Sequence, residues 1–184
     1  MDFLPKEIVL RSGRKLILRA PRVEDAQTLV EYLNATAGES PWLPREPGES
    51  RITSFEQEAQ FIEGIVSSPD DLMLLAFVEG EFAGNCQINF MRRRKSAHRA
   101  SIGITLYKKF WGMGIGTAMF GEMLAQAKAR GTEQVELAYI EGNERGKALY
   151  EKMGFSECGR MPKAYRFSDG SYHDEIFMIK YMNE

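Results

Sequence analysis

The sequence predicts an α/β protein: one mixed sheet with helices on its faces, over a single domain spanning 1–184. Three observations carry that prediction. In Ser101–Ala118, Ile102, Ile104 and Leu106 alternate with Ser101, Gly103 and Thr105, the period of a half-buried strand. Gly112, Gly114 and Gly116 follow, then Met119, Phe120, Met123, Leu124 and Ala127 on one helical face. The stretch therefore reads strand, glycine turn, helix. Next, Leu72–Val78 and Phe82–Met91 flank Glu79-Gly80-Glu81, the pattern of an antiparallel hairpin. Finally, the periodicities run strand, two helices, several strands, then helix, strand, helix and strands, an order that one sheet accommodates.

The elements follow in chain order. Glu7–Leu10 and Lys15–Arg19 flank Arg11-Ser12-Gly13-Arg14 as a bent or hairpin first strand, ended by Pro21. Glu24 and Asp25 open a helix whose buried stripe is Ala26, Leu29, Val30 and Leu33, the acids complementing its N-terminal dipole. Thr36–Arg51 holds Gly38, Pro41, Pro44, Pro47 and Gly48 and reads as irregular. Ser54-x-x-Gln57 is a capping-box pattern starting a second helix with Phe61, Ile62, Ile65 and Val66 inward, closed by Pro69-Asp70. After the central unit, Gly131 is the expected C-terminal cap, with Lys128 and Arg130 complementing the dipole. Val135–Ile140 alternates as a strand, and Asn143 caps a short helix carrying Leu149, Tyr150 and Met153. Ser156–Met161 is extended, Ser168–Ser171 turns, and Ile176–Tyr181 is the last strand.

Composition narrows the class. A 43% hydrophobic and 27% charged chain of 184 residues is that of an ordinary globular protein with one well-buried core. Its longest apolar run, Leu72–Val78, is too short to cross a membrane, and the residues around Asp2, Lys6 and Glu7 carry no signal-peptide pattern. Cys86 and Cys158, each inside a strand-like run, read as buried free thiols, and with two histidines no metal cluster is expected. The cytoplasm is the expected location. A net charge of −2 argues against general nucleic-acid binding, and Arg92-Arg93-Arg94-Lys95 reads as a solvated connection or a contact for a phosphate or an acidic partner.

A strand that feeds a glycine turn and a helix N-terminus aims several N–H groups and a positive dipole end at one point, where an anion such as a pyrophosphate binds. A P-loop would need Lys-Ser/Thr after the last glycine, and a dinucleotide fingerprint G-x-G-x-x-G; Thr117 and the G-x-G-x-G spacing satisfy neither. A turn without a ligand is the remaining alternative. Downstream, Gly142–Phe155 contains Asn143, Tyr150 seven residues later, and Gly154-Phe155.

Together these two stretches resemble the GNAT superfamily of N-acetyltransferases, in particular its ribosomal-protein N-terminal and polyamine acetyltransferase branch. The family's Arg/Gln-x-x-Gly-x-Gly/Ala aligns with Trp111–Gly116, and its Asn-x-x-Ala/Ser with Asn143–Gly146; Trp111 and Gly146 are departures. The resemblance implies a mostly antiparallel sheet with helices on both faces, the acyl-CoA N-acyltransferase fold. It implies acetyl transfer from acetyl-CoA to a primary amine, small molecule or protein N-terminus, without an acyl-enzyme and without a metal.

It also implies roles. Ile104, Thr105 and Leu106 would expose main chain to the cofactor, with the Leu106 N–H as oxyanion donor. Trp111, Gly112, Met113, Gly114, Ile115, Gly116, Thr117 and Asn143 would hold it, and Tyr150 would protonate the departing thiolate. On the acceptor side Trp42 is either a loop anchor or a pocket wall, and His98 either structural or a base. Glu39, with Glu46 and Glu49, or else Asp174 or Glu175, could attract a cationic amine. Neither a membrane nor a nucleic acid is an expected partner, and a homodimer is a candidate assembly. A non-catalytic CoA-binding module of the same fold is the alternative; it gives Tyr150 no chemical task.

Overall fold

The computed structural model describes residues 3–182; Met1, Asp2, Asn183 and Glu184, at the ends of the expected 1–184 domain, lie outside the described residues. The strands are β1 (Lys6–Val9), β2 (Lys15–Arg19), β3 (Asp71–Val78), β4 (Glu81–Phe90), β5 (Arg99–Leu106), β6 (Gln134–Ile140), β7 (Ser156–Arg166) and β8 (Tyr172–Tyr181). They join one sheet in the order β1-β2-β3-β4-β5-β6-β8-β7. Every neighbouring pair is antiparallel except β5 and β6, which run parallel. The expected mixed, mostly antiparallel sheet is therefore the observed one.

Helices cover both faces. α1 (Ala26–Glu39) and α2 (Phe55–Ser67) lie on one; α3 (Ile115–Ala129) and α4 (Glu144–Lys152) lie on the other. Alternation along β3 divides the core between them. Leu72, Leu74, Ala76 and Val78 meet α3, whereas Met73 and Leu75 meet α1 and α2. The α3 stripe is buried at Met119, Phe120, Met123, Leu124 and Ala127 as the periodicity predicts, and Gly131 follows the helix with φ +74°.

Four elements differ from the sequence reading. α1 runs through Gly38 to Glu39 instead of stopping before Thr36, because its inner stripe continues as Tyr32, Thr36 and Ala37. In α2 the inward residues are Glu58, Ile62 and Ile65, while Phe61 and Val66 are exposed on the flank; the apolar pairs straddle the buried face. The Ser54 hydroxyl caps Gln57 N–H, but Gln57 reaches back to Thr53 N–H. β7 and β8 are longer than Ser156–Met161 and Ile176–Tyr181, forming an edge ribbon with two irregular steps. In that ribbon Cys158 is exposed, where a buried thiol was expected; Cys86 is fully buried.

Glu58 has a measurable consequence. It is 2% exposed, and its Oε2 has no hydrogen-bond partner among the described residues. Burial pushes this carboxyl up to about 7 from an ordinary 4.5. The folded chain thus keeps a proton that the unfolded chain releases, so stability falls as pH rises from 4.5 to about 7 and then levels. Glu58→Gln removes the penalty. We expect urea unfolding to show a gain of about 1–2 kcal/mol above neutrality, allowing for solvent screening, and none in acid.

Candidate active site

The parallel β5–β6 ladder holds only where Arg99, Ala100 and Ser101 face Gln134, Val135 and Glu136. Beyond it β6 stays with β8 as far as Ile140, while β5 stays with β4 as far as Leu106. The strands part, and the sheet opens. The antiparallel alternation on β5 is fixed at its ends, where Met91 N–H donates to Arg99 O and Tyr107 N–H to Ala83 O. The odd-numbered residues between therefore bond β4, and the main-chain groups of Ile104 and Leu106 turn into the opening. Trp111 Nε1–H donates to Leu106 O at 2.9 Å. Leu106 N–H is left facing the gap.

A cleft of about 790 Å³ passes through this opening and joins the two faces of the sheet. On the α3 side it is lined by Gly112, Gly114, Gly116, Thr117, Asn143 and Tyr150. Gly112 and Gly114 have φ of +78° and +87°, a conformation that glycine adopts without strain. Gly114 is the N-cap of α3 and offers no side chain to the first N–H groups of the helix, so those donors face the cleft bare. A Cβ at Gly114 would meet no protein atom within 4 Å, which leaves room there for a ligand's phosphate. A pyrophosphate fits this cradle. Gly116 serves packing instead: a Cβ there would come 2.9 Å from Leu149 Cδ2.

Met113 and Ile115, expected around the cofactor, turn away from the cleft. Ile115 is core, and Met113 packs against it with Arg14 Nη1 3.9 Å from its sulfur. They can serve a ligand through main chain alone. Trp111 has a partner that the sequence did not reveal: the Arg145 guanidinium stacks 5.2 Å over its ring and lies 3.7 Å from where a Gly112 Cβ would sit. A cation from α4 thus stands beside the turn where the family pattern has Arg or Gln. Asn143 caps α4, its Oδ1 accepting from Gly146 N–H at 2.9 Å. A Cβ at Gly146 would sit 2.7 Å from Asn143 Nδ2, so the second departure is fitted to the cap.

Tyr150 projects from α4 between Tyr139 of β6 and Phe120 of α3, with ring centroids 5.8 and 5.7 Å away. Its hydroxyl has no hydrogen-bond partner among the described residues, and the residue lines the cleft. Burial, with Cys86 and Tyr139 nearby, pushes its phenol up to about 12, so it is protonated at neutral pH. Burial raises the Cys86 thiol as well, which keeps it un-ionised.

The α1 side of the cleft is built by Tyr32, Thr36, Glu39, Trp42 and Arg45. Tyr32 is 1% exposed; its hydroxyl donates to Thr105 O at 2.6 Å and lies 3.0 Å from Asn85 Oδ1. Trp42 is both anchor and wall. Its ring contacts Phe167 and His173 at 5.9 and 6.1 Å and fills the space over Gly142, where a Cβ would be 2.7 Å away, while its residue lines the cleft. Glu39 lines the cleft too, with Oε2 accepting from Lys108 N–H at 2.7 Å. Glu46 and Glu49 are exposed and closed on each other through Glu46 N–H. Asp174 pairs with Arg160, and Glu175 accepts from Tyr165.

His98 is exposed at the opposite end of β5 from Leu106 and outside the cleft, so the position expected of a base is far from the opening. Arg92 pairs with Asp70 and Asp71, and Arg93, Arg94 and Lys95 are solvated. Among the described residues no three His, Cys, Asp or Glu side chains group as metal ligands.

Comparison with known proteins agrees with this geometry. A family model described as an acetyltransferase (GNAT) domain matches residues 15–156. An L-amino acid N-acetyltransferase, AaaT, of Escherichia coli (strain K12) is 25% identical over 119 residues, covering 64% of this chain and 73% of that protein. The structure of an acetyltransferase of the GNAT family from Streptococcus pneumoniae superposes with a TM-score of 0.83 at 27% identity, over 90% of this chain and 99% of that one. A ribosomal-protein-S5-alanine acetyltransferase from Vibrio fischeri has a TM-score of 0.80 at 19% identity, over 99% and 98% of the two chains.

Gly84 on β4 decides how closely β5 can approach. A bulge at Ala83 shifts the β3–β4 register here, and Gly84, with φ +146°, lies opposite Leu106. A Cβ would fall 2.3 Å from Thr105 O and 2.7 Å from Leu106 Cα. Gly84→Ala should therefore cost about 2–4 kcal/mol in a denaturant titration. Gly121→Ala, on α3 where a Cβ meets nothing within 4 Å, should instead gain about 0.5–1 kcal/mol.

Proposed function

The chain belongs to the GNAT acetyltransferase family and is an acetyl-CoA-dependent N-acetyltransferase, and from that premise we propose that it acetylates a primary amine by direct attack in a ternary complex, as one catalytic domain. The observation that carries this reading is the cleft itself. It crosses the sheet where β5 and β6 part, with a bare helix N-terminus on one side and an acceptor-sized chamber on the other.

The residues divide the work as follows. The main-chain N–H groups of the Gly112–Thr117 turn hold the pyrophosphate of acetyl-CoA, with Arg145 alongside. Bound acetyl-CoA supplies an activated acyl group as a thioester. The open edge of Ile104–Leu106 aligns it, and Leu106 N–H donates to the thioester oxygen as negative charge develops there. Tyr150 gives its proton to the leaving sulfur; a phenol that stays protonated, with no competing acceptor for its hydrogen, suits that task. Glu39 and Trp42 face the incoming amine. Direct attack is supported by the thiols: Cys86 is buried and un-ionised, and Cys158 lies against Phe177 O in the edge ribbon. A protein that only senses CoA has no use for the Tyr150 hydroxyl. No helix among the described residues is long and apolar enough to cross a membrane, and we propose the cytoplasm as the site of action.

The test is thiol release from acetyl-CoA with amines, amino acids and peptides offered as acceptors; no release with any acceptor would refute the reading. Acetyl-CoA at 100 times its Kd should also stabilise the fold by about 2.7 kcal/mol in thermal unfolding. Tyr150→Phe keeps the ring among Phe120 and Tyr139, so stability and CoA affinity should hold. Turnover should fall by roughly 10²–10⁴-fold. Wild-type turnover, measured where chemistry limits the rate, would remove Tyr150 as the acid.

A further inference from the structure

The loop after α1 carries Glu46 and Glu49, yet the side chain it sends into the cleft is a cation. Arg45 is half-buried and lines the α1 side of the cleft. Its Nε and Nη2 donate to Leu33 O at 3.4 and 3.2 Å, and Nη2 also to Thr36 Oγ1 at 3.2 Å. Thr36 in turn donates to Tyr32 O at 2.7 Å, so the guanidinium is clamped to the last turns of α1, where the helix dipole favours a positive charge. No carboxylate among the described residues lies within ion-pair distance of Arg45, and its Nη1 has no partner among them.

Three of the five donors are held, and the two Nη1 N–H groups of a permanently charged guanidinium are left open in a partly dehydrated chamber. A carboxylate can accept from those two N–H groups. Position agrees: Tyr32, one helical turn before Thr36, hydrogen-bonds Thr105 O on the β5 segment where the acyl group would sit. Among the described residues that line the cleft Glu39 is the only acid, so the acceptor chamber presents one charge of each sign. A zwitterion matches that pair.

Resting on the N-acetyltransferase reading above, we propose that Arg45 is a specificity-determining residue that binds a carboxylate on the acceptor, and that the acceptor is a free amino acid. Its carboxylate pairs with Arg45 through the free Nη1 while its amine faces Leu106 and Glu39. The acceptor class follows from the unpaired cation and not from the acidic loop, whose exposed glutamates lie outside the cleft.

The experiment measures kcat/KM for L-amino acids against their amides and their decarboxylated amines, and for peptides with a neutral or acidic second residue. The wild-type protein, Arg45→Ala and Arg45→Lys are compared. We expect the wild type to favour the amino acid over its amide and amine, and Arg45→Ala to erase that preference. It should lower kcat/KM for the acid by roughly 10–150-fold, mainly through KM, with the acetyl-CoA KM unchanged. Arg45→Lys should restore part of it. Equal use of acid, amide and amine by the wild type, preference for a neutral peptide, or an equal loss on all acceptors in Arg45→Ala would overturn the proposal. Preference for the acidic peptide over every amino acid would keep the Arg45–carboxylate contact and overturn the free amino acid as its source.

Turnover with no acceptor at all would refute the transferase reading instead. Arg45 is then judged by calorimetry of amino acids on the CoA-loaded protein: binding lost in Arg45→Ala supports it, and unaltered or undetectable binding overturns it. Should Arg45→Ala not fold, Arg45→Gln, which can still bond Leu33 O, takes its place.

Discussion

A sheet whose central ladder stops part-way has to satisfy the backbone groups it abandons, and this requirement governs the molecule. Buried N–H and C=O groups are rarely left without partners. Where β5 leaves β6, Leu106 O takes the Trp111 indole N–H, and Thr105 O, which faces β4, takes the Tyr32 hydroxyl as well. Leu106 N–H is among the groups left facing the gap. With Leu106 O occupied by the indole, the residue offers the opening its N–H, a donor of the kind that stabilises developing negative charge.

Several elements hold the strands apart. On the α4 face, Tyr150 wedges against Tyr139 of β6 and Phe120 of α3. On the α1 face, Tyr32 packs edge-on against Phe82 and Tyr107, with centroids 5.1 Å away in each case. Below, Gly84 lets β4 follow β5 through the bulge. Removing one support would leave the others, so the opening belongs to the packing of both faces and not to any single residue.

Much of this was legible in the sequence, and the reasons for the misses are physical. The strand–turn–helix unit was readable because Ile102–Leu106 and Met119–Ala127 have clean periods and because positive φ at Gly112 and Gly114 requires glycine. Tyr32 was passed over because the inner stripe of α1 drifts from Val30 and Leu33 to Tyr32 and Thr36; an aromatic four residues before a buried Thr was the available signal. Gly84, alone inside an apolar strand pattern, was a readable sign of a bulge or close approach. His98 misled because a strand-end position says nothing of which end faces the site. Arg145 and Arg45 could not be found by period or spacing, since the reach of a long side chain across a turn is a tertiary fact. Exposure of Cys158 follows from its place in an edge ribbon, which short strand patterns do not disclose.

The two halves of the cleft are made of different material. The Gly112–Thr117 half is main chain and dipole, with side chains deliberately absent. The other half is side chains borne on α1 and the α1–α2 loop and braced by Trp42 against Gly142 and the Phe167–His173 stack. Point substitution can rewrite the second half, whereas in the first, where glycine holds positive φ, it can only obstruct. A protein built this way can drift in what it acetylates through single codon changes, while the acyl carrier it draws on stays fixed unless the backbone itself is rebuilt.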